Sequence, residues 1–147
     1  QNVTSLTCIP IGITNFSLQY LTNLKMLIIH NNRKISDISV RKLINLENLI
    51  ICDSPSFTGS CFPKLKKLKK IVVSCVPNIK TENLMKLTQL QTLDIYCINF
   101  AFQPQITDVS PFIHLTSLHL WNQKVTAQSI SSLTQLKKLC LLLLYFS

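Results

Sequence analysis

At 147 residues and 47% hydrophobic composition, the chain is long enough for one domain with a substantial core and too apolar to be disordered. Its longest apolar run, LCLLLLYF (139–146), is less than half of the ~20 residues a membrane-spanning helix needs. Fifteen basic against six acidic residues give a net charge of +9, which favours acidic partners without choosing among nucleic acid, anionic lipid and an acidic protein surface.

Taken in chain order, one apolar template recurs. A partial copy stands at Val3, Leu6 and Cys8. Full copies begin at Leu21, Leu43, Leu65 and Leu87, in steps of 22, then at Phe112 after 25 and Leu133 after 21. Behind each leading residue lie apolar positions at +3, +6 and +8, as in LTNLKMLIIHN (21–31), LINLENLIICD (43–53) and LTQLQTLDIYC (87–97). The last two, an apolar–x–apolar pair such as Leu93 and Ile95, predict a short strand with two residues facing inward. The leucines before it line the turn that feeds the strand.

The other half of the repeat reads differently. ISDISVRKL (35–43), IKTENLMKL (79–87) and VTAQSISSL (125–133) are each apolar at the first, sixth and ninth positions. One or two helical turns are predicted there, with Ser36, Thr81 and Thr126 as capping candidates. FTGSCFPKL (57–65) keeps the apolar positions, but Gly59 and Pro63 predict irregular structure. No unit of 22 residues buries its apolar face alone, so the units must stack.

The template LxxLxLxx(N) resembles the leucine-rich repeat over nearly the whole chain. ISDIS and ITDVSPF (106–112) resemble the convex segments of bacterial internalins and the 22-residue repeats of leucine-rich phosphatase regulators, whereas VTAQSISSL is closer to the short-helix repeats of F-box and bacterial cytosolic leucine-rich proteins. The resemblance implies an α/β fold: a curved right-handed solenoid, with short parallel strands on the concave face and short helices or irregular turns on the convex face. It implies a single domain over 1–147, with repeats starting near Val3, Leu21, Leu43, Leu65, Leu87, Phe112 and Leu133. The asparagine that ends the family template stands only at Asn32; Ser54, Val76, Ile98 and Gln123 replace it, which implies looser turns. The last copy leaves an apolar edge, so the chain is expected to be a piece of a longer array.

Little in the sequence points to catalysis, and no cofactor is expected. Two glycines, Gly12 and Gly59, cannot make a phosphate-cradling loop, and neither HExxH nor GxSxG occurs. His30 and His119 fall on strands four rungs apart, ~20 Å, too far to share a metal. Six cysteines without a CxxC pair read as small buried hydrophobes in a reducing compartment, which favours the cytoplasm over secretion. Cys75 and Cys97 share a position on adjacent strands, within bridging distance at ~5 Å; a disulfide is open to them in an exported protein, but free thiols are the expectation.

What remains is surface. Residues between the core positions form concave columns: Ile28, Ile50, Val72, Asp94, His119 and Cys140 in one, His30, Cys52, Ser74, Tyr96, Trp121 and Leu142 in the next. Asp94, Tyr96, His119 and Trp121 set aromatics beside charge, a pattern favoured at protein interfaces; the same rings could simply pack on each other. His30 and Asp53 extend the candidate surface. Lys42, Lys64 and Lys86 precede the leading leucine in consecutive repeats, with Lys66 and Lys67 nearby, giving a basic flank. The expected function is a protein–protein interaction scaffold using the concave face. The alternative is an acidic polymer or anionic lipid on the lysine flank. Nucleic acid is disfavoured, because no aromatics interleave with those lysines.

Overall fold

The computed structural model describes residues 2–8, 12–96 and 105–143. Among them, seven strands form one parallel sheet in strict chain order: β1 (Ser5–Cys8), β2 (Met26–His30), β3 (Asn48–Cys52), β4 (Lys70–Ser74), β5 (Thr92–Tyr96), β6 (Ser117–Trp121) and β7 (Lys138–Leu142). The register follows the sequence period. Leu27 pairs with Leu49, Leu49 with Ile71, Ile71 with Leu93, Leu93 with Leu118 and Leu118 with Leu139. The 25-residue step before Phe112 leaves this register unchanged.

The mixed spacing of the template now has its physical cause. The three-residue steps are tight turns: the amides of Leu24, Leu46, Leu68, Leu90, Leu115 and Leu136 each donate to the carbonyl of the repeat's leading residue. Each turn then opens into the strand through a shared acceptor. The Thr4, Lys25, Glu47, Lys69, Gln91 and Thr116 carbonyls each take two consecutive amides of the next rung. The core runs through the coil as one body from Cys8 to Leu133, and the leucine, isoleucine and valine side chains at the core-facing strand positions of β2 to β6 are sealed within it. On β7 the equivalent Leu139 and Leu141 stand open, at 47% and 45% exposure.

The convex side carries α1 (Asn15–Leu18), α2 (Asp37–Val40), α3 (Thr81–Leu84) and α4 (Ala127–Ser131). The last three lie where predicted. α1 was not read, although Ile13, Leu18 and Leu21 repeat the same apolar spacing. The irregular stretch at 57–65 closes in a 3₁₀ turn, Phe62–Lys64, with Pro63 in its first turn. Gly59 adopts φ +81°, and a β-carbon there would sit 2.7 Å from the Phe62 ring. Of the three capping candidates only Thr126 behaves as expected, accepting from the Ser129 amide at 3.1 Å. Ser36 caps α2 through its backbone geometry while its hydroxyl accepts from Asn15 Nδ2. Thr81 lies inside α3, capped by Lys80, and its hydroxyl donates to the Gln105 carbonyl.

Two further expectations need correction. The turns at Asn32, Ser54 and Gln123 are not loose. Asn32 Oδ1 accepts the Lys34 and Ile35 amides at 2.8 and 3.0 Å, Ser54 Oγ accepts the Asn32 amide and donates to the Cys52 carbonyl, and Gln123 Oε1 accepts the Ile106 amide. Serine and glutamine thus replace asparagine by accepting backbone amides of the preceding rung, and Val76 joins the core instead. Ile98 lies outside the described residues. The cysteines also differ. Cys8 and Cys61 are buried thiols, as read, but Cys75 is disulfide-bonded. Its expected mate, Cys97, lies outside the described residues. The disulfide withdraws the argument for a reducing compartment that rested on cysteine usage. No described helix is long and apolar enough to cross a membrane.

Candidate functional site

A parallel strand alternates its side chains, so a five-residue rung turns two residues to the core and three to the concave wall, although on β4 the wall residue Val72 is itself buried. Both columns form as the sequence arranges them. Ile28, Ile50, Val72, Asp94, His119 and Cys140 pair in sequence across the sheet, as do His30, Cys52, Ser74 and Tyr96. Where the columns reach β5 and β6, Asp94, Tyr96, His119, Trp121 and Cys140 enclose a cleft of about 360 Å³.

Its walls are mostly aromatic. The Tyr96 and Trp121 rings lie 5.9 Å apart at 54°, a tilted contact that leaves both lining the cleft. Packing on each other and offering a surface are therefore compatible. On the other side Tyr96 neighbours the Cys52 side chain. Burial, the Cys52 sulfur and then the Asp94 and Asp53 carboxylates push its phenol up. Burial chiefly, with Asp53 behind it, pushes the Cys52 thiol up as well.

Asp94 supplies the charge. Its side chain is only 15% exposed, and Oδ1 lies 2.9 Å from His119 Nδ1. Oδ1 is itself buried, and among the described residues His119 is the group that faces it. Asp94 and His119 also bound a second, polar cleft that holds Lys70, Lys137 and Lys138, so the pair forms a ridge between an aromatic hollow and a basic one.

The other concave candidates sit apart. His30 Nε2 is 3.6 Å from Asp53 Oδ2, both half-exposed, on the far side of the wall at β2 and β3. They do not line the aromatic cleft, though Asp53 reaches it electrostatically through Cys52 and Tyr96. Cys140, not singled out from sequence, lines the cleft, and Cys52 neighbours Tyr96 outside it. Their positions in the two columns were the available signal.

On the flank, Lys42, Lys64 and Lys86 are exposed, and their amides each donate three residues back, so they occupy equivalent turns. Lys66 and Lys67 line a shallow cleft with Glu47, Lys69, Gln89 and Gln91. Part of this charge is already paired. Lys67 Nζ donates to Asn45 Oδ1 at 2.7 Å, and Lys69 Nζ to Glu47 Oε2 at 3.0 Å. Lys69, first by that bond and then by its charge, holds the Glu47 carboxyl below its usual range. Among the described residues no group of three His, Cys, Asp or Glu side chains could hold a metal ion.

No family model matches the chain, and no curated protein matches it in sequence. Solved structures do. An internalin, inlF, of Listeria monocytogenes superposes with a TM-score of 0.68 at 23% identity, covering 97% of this chain and 43% of that one. Internalin C2 of the same organism gives 0.63 at 20% identity, covering 98% of this chain and 74% of that one. The chain thus spans less than half the length of the first of these. At such identities the likeness concerns the backbone, and with the seven in-register parallel strands it establishes that this chain folds as a leucine-rich-repeat solenoid of internalin type.

Proposed function

We propose that the chain is a non-catalytic scaffold that binds another protein through the concave face, centred on β5 and β6. The observation that carries this reading is the Tyr96–Trp121 pair standing beside Asp94 and His119 around one cleft. Large rigid rings next to a poorly solvated charge are the composition of interface hot spots. Solenoids of this kind typically use that wall to bind proteins, which supports the reading from the side of the fold. His30 and Asp53 would lie at the margin of such an interface. The test is affinity capture with the wild-type chain against Tyr96→Ala/Trp121→Ala. At least one partner should be lost from the variant, and equal recovery of every partner would refute the assignment.

A second reading places an acidic polymer or anionic lipid on Lys42, Lys64, Lys66, Lys67 and Lys86. The exposure of all five, with Lys42, Lys64 and Lys86 in equivalent turns, supports it; the pairing of Lys67 with Asn45 and the Glu47 carboxylate amid Lys25 and Lys69 tell against it. Salt separates the two. Polyanion binding falls steeply with ionic strength, and concave protein contact does not.

A further inference from the structure

We infer that the convex surface of α1 and α2 docks on an anionic lipid bilayer, with Phe16, Tyr20 and Ile38 entering its interface and Arg41, Lys42 and Lys64 meeting its headgroups. The inference deepens the lysine-flank reading and rests on it. The surface lies across the coil from the aromatic cleft, so a protein on the concave wall would not compete for it. Phe16, Tyr20 and Ile38 are 73%, 67% and 59% exposed, the three most open large apolar side chains among the described residues. Phe16 and Tyr20 meet edge to face with ring centroids 5.7 Å apart, a contact that holds the rings together without hiding either.

This exposure is not that of an unstacked rung. Ile38 stands at the position of Phe16 one rung on, and Lys42 at that of Tyr20, as the strand register and the Asn15–Ser36 bond require. Ile38 and Lys42 have a rung on either side and are still exposed, as are Ser60 and Lys64 at the same positions of the next rung. These positions therefore project away from the stack. The surround is cationic. Arg41 and Lys42 close α2, Lys64 follows in the next rung, and Lys34 lies beside α1, its carbonyl accepting the Asn15 amide. All four are exposed, and none joins an ion pair among the described residues. Asp37, beside Ile38 in the chain, is buried and engaged by the Thr58 and Cys61 amides. Along the row of Phe16, Ile38 and Ser60 the first acid is Glu82, two rungs beyond Ile38. Together these chemistries select the occupant. A protein would need a hollow shaped to take protruding rings. A bilayer needs none: its interface yields, accepts aromatic side chains at headgroup level, and attracts Lys and Arg through its anionic lipids. The net charge of +9 adds to that attraction.

Flotation of the full chain with vesicles of phosphatidylcholine, alone or mixed with phosphatidylserine, tests this. Binding is expected to the mixed vesicles and not to phosphatidylcholine alone. Phe16→Ala/Tyr20→Ala should weaken it about tenfold, and Arg41→Gln/Lys42→Gln/Lys64→Gln by at least about tenfold. Melting curves should not change, because all of these side chains are exposed. Insertion has its own readout: brominated lipid should quench the added emission of a Phe16→Trp variant and leave Trp121 of the parent chain, on the concave wall, unquenched. Failure to float with the mixed vesicles, equal flotation with phosphatidylcholine alone, an unaffected Phe16→Ala/Tyr20→Ala variant or an unquenched Phe16→Trp variant would each overturn the inference. In that case, retention on heparin that the triple glutamine variant loses would leave the lysine-flank reading standing, as charge attraction alone. Failure to bind either heparin or vesicles would remove that reading too. Binding of polyglutamate in place of vesicles would make the occupant an acidic protein and overturn the bilayer.

Discussion

The wall at β3 and β4 and the wall at β5 and β6 share a scaffold and differ in everything else. Beneath both, the rungs bury the same kind of residue: Leu49, Ile51, Ile71 and Val73 under one, Leu93, Ile95, Leu118 and Leu120 under the other. Above, the same column holds Ile50 and Val72 in the first region and Asp94 and His119 in the second. The neighbouring column changes from Cys52 and Ser74 to Tyr96 and Trp121. The strand period separates the two jobs. Alternate residues answer to the core, and those between them are free to answer to a partner.

The comparison can be broken most forcefully from below. Leu49→Ala and Leu93→Ala should each cost about 2–5 kcal/mol in chemical denaturation, because each empties a fully sealed site. Similar losses are expected in the two regions, and a much smaller loss at Leu93 would mean that the scaffold under the cleft is not equivalent. On the wall itself the regions should diverge. Trp121→Ala should weaken partner binding by about 2 kcal/mol, as truncated hot-spot residues do. Ile50→Ala, measured in the same assay, should leave it within about threefold. Equal effects would erase the distinction between the walls.

Away from the wall, the convex side offers a matched pair of aspartates that sharpens the same lesson. Asp37 is buried and accepts the Thr58 and Cys61 amides at 2.8 and 3.0 Å, so it orders the irregular segment of the next rung. Asp108 is exposed and, among the described residues, accepts only from Ser110, whose amide holds its carboxyl below the usual range. Asp37→Ala should destabilise by about 2 kcal/mol in a denaturant melt, from amides left without acceptors, whereas Asp108→Ala should shift the midpoint little.

The smallest effect concerns acid. Because the folded-state pKa of Glu47 lies below its unfolded value, its contribution is present above the ordinary glutamate pKa and fades as pH falls through the depressed one. Glu47→Gln should therefore remove a small part of the acid-side slope of the melting temperature. A change on the alkaline side would contradict the assignment. Alkylation supplies a companion measurement. Cys140, exposed at the cleft, should react well before Cys8, whose thiol is pushed up to about 11 by burial.

Much of this was legible because the repeat writes its core in large apolar residues at fixed spacing. Leu21, Leu43, Leu65 and Leu87 gave the period, the +6 and +8 positions gave the strands, and the columns followed from alternation. The cleft residues Asp94, Tyr96, His119 and Trp121 were legible for the same reason. What escaped depended on polar groups finding partners in another rung or turn. Asn15 joins α1 to α2 by accepting from Ser36 and Ser39, and no local pattern announces a bond across more than 20 residues. Ser54 and Gln123 do the work of asparagine with different reach, so a template written in one residue type overlooks them. The disulfide at Cys75 was visible as a position but not as a bonding state.

The doubly used carbonyls at Thr4, Lys25, Glu47, Lys69, Gln91 and Thr116 have one more consequence. They set the pitch of the coil with main-chain atoms alone, so the spacing between neighbouring turns does not depend on which side chains face inward. A library that randomises Ile50, Asp94 and His119 together should still yield folded proteins, and new specificities could be selected on this frame without redesigning it.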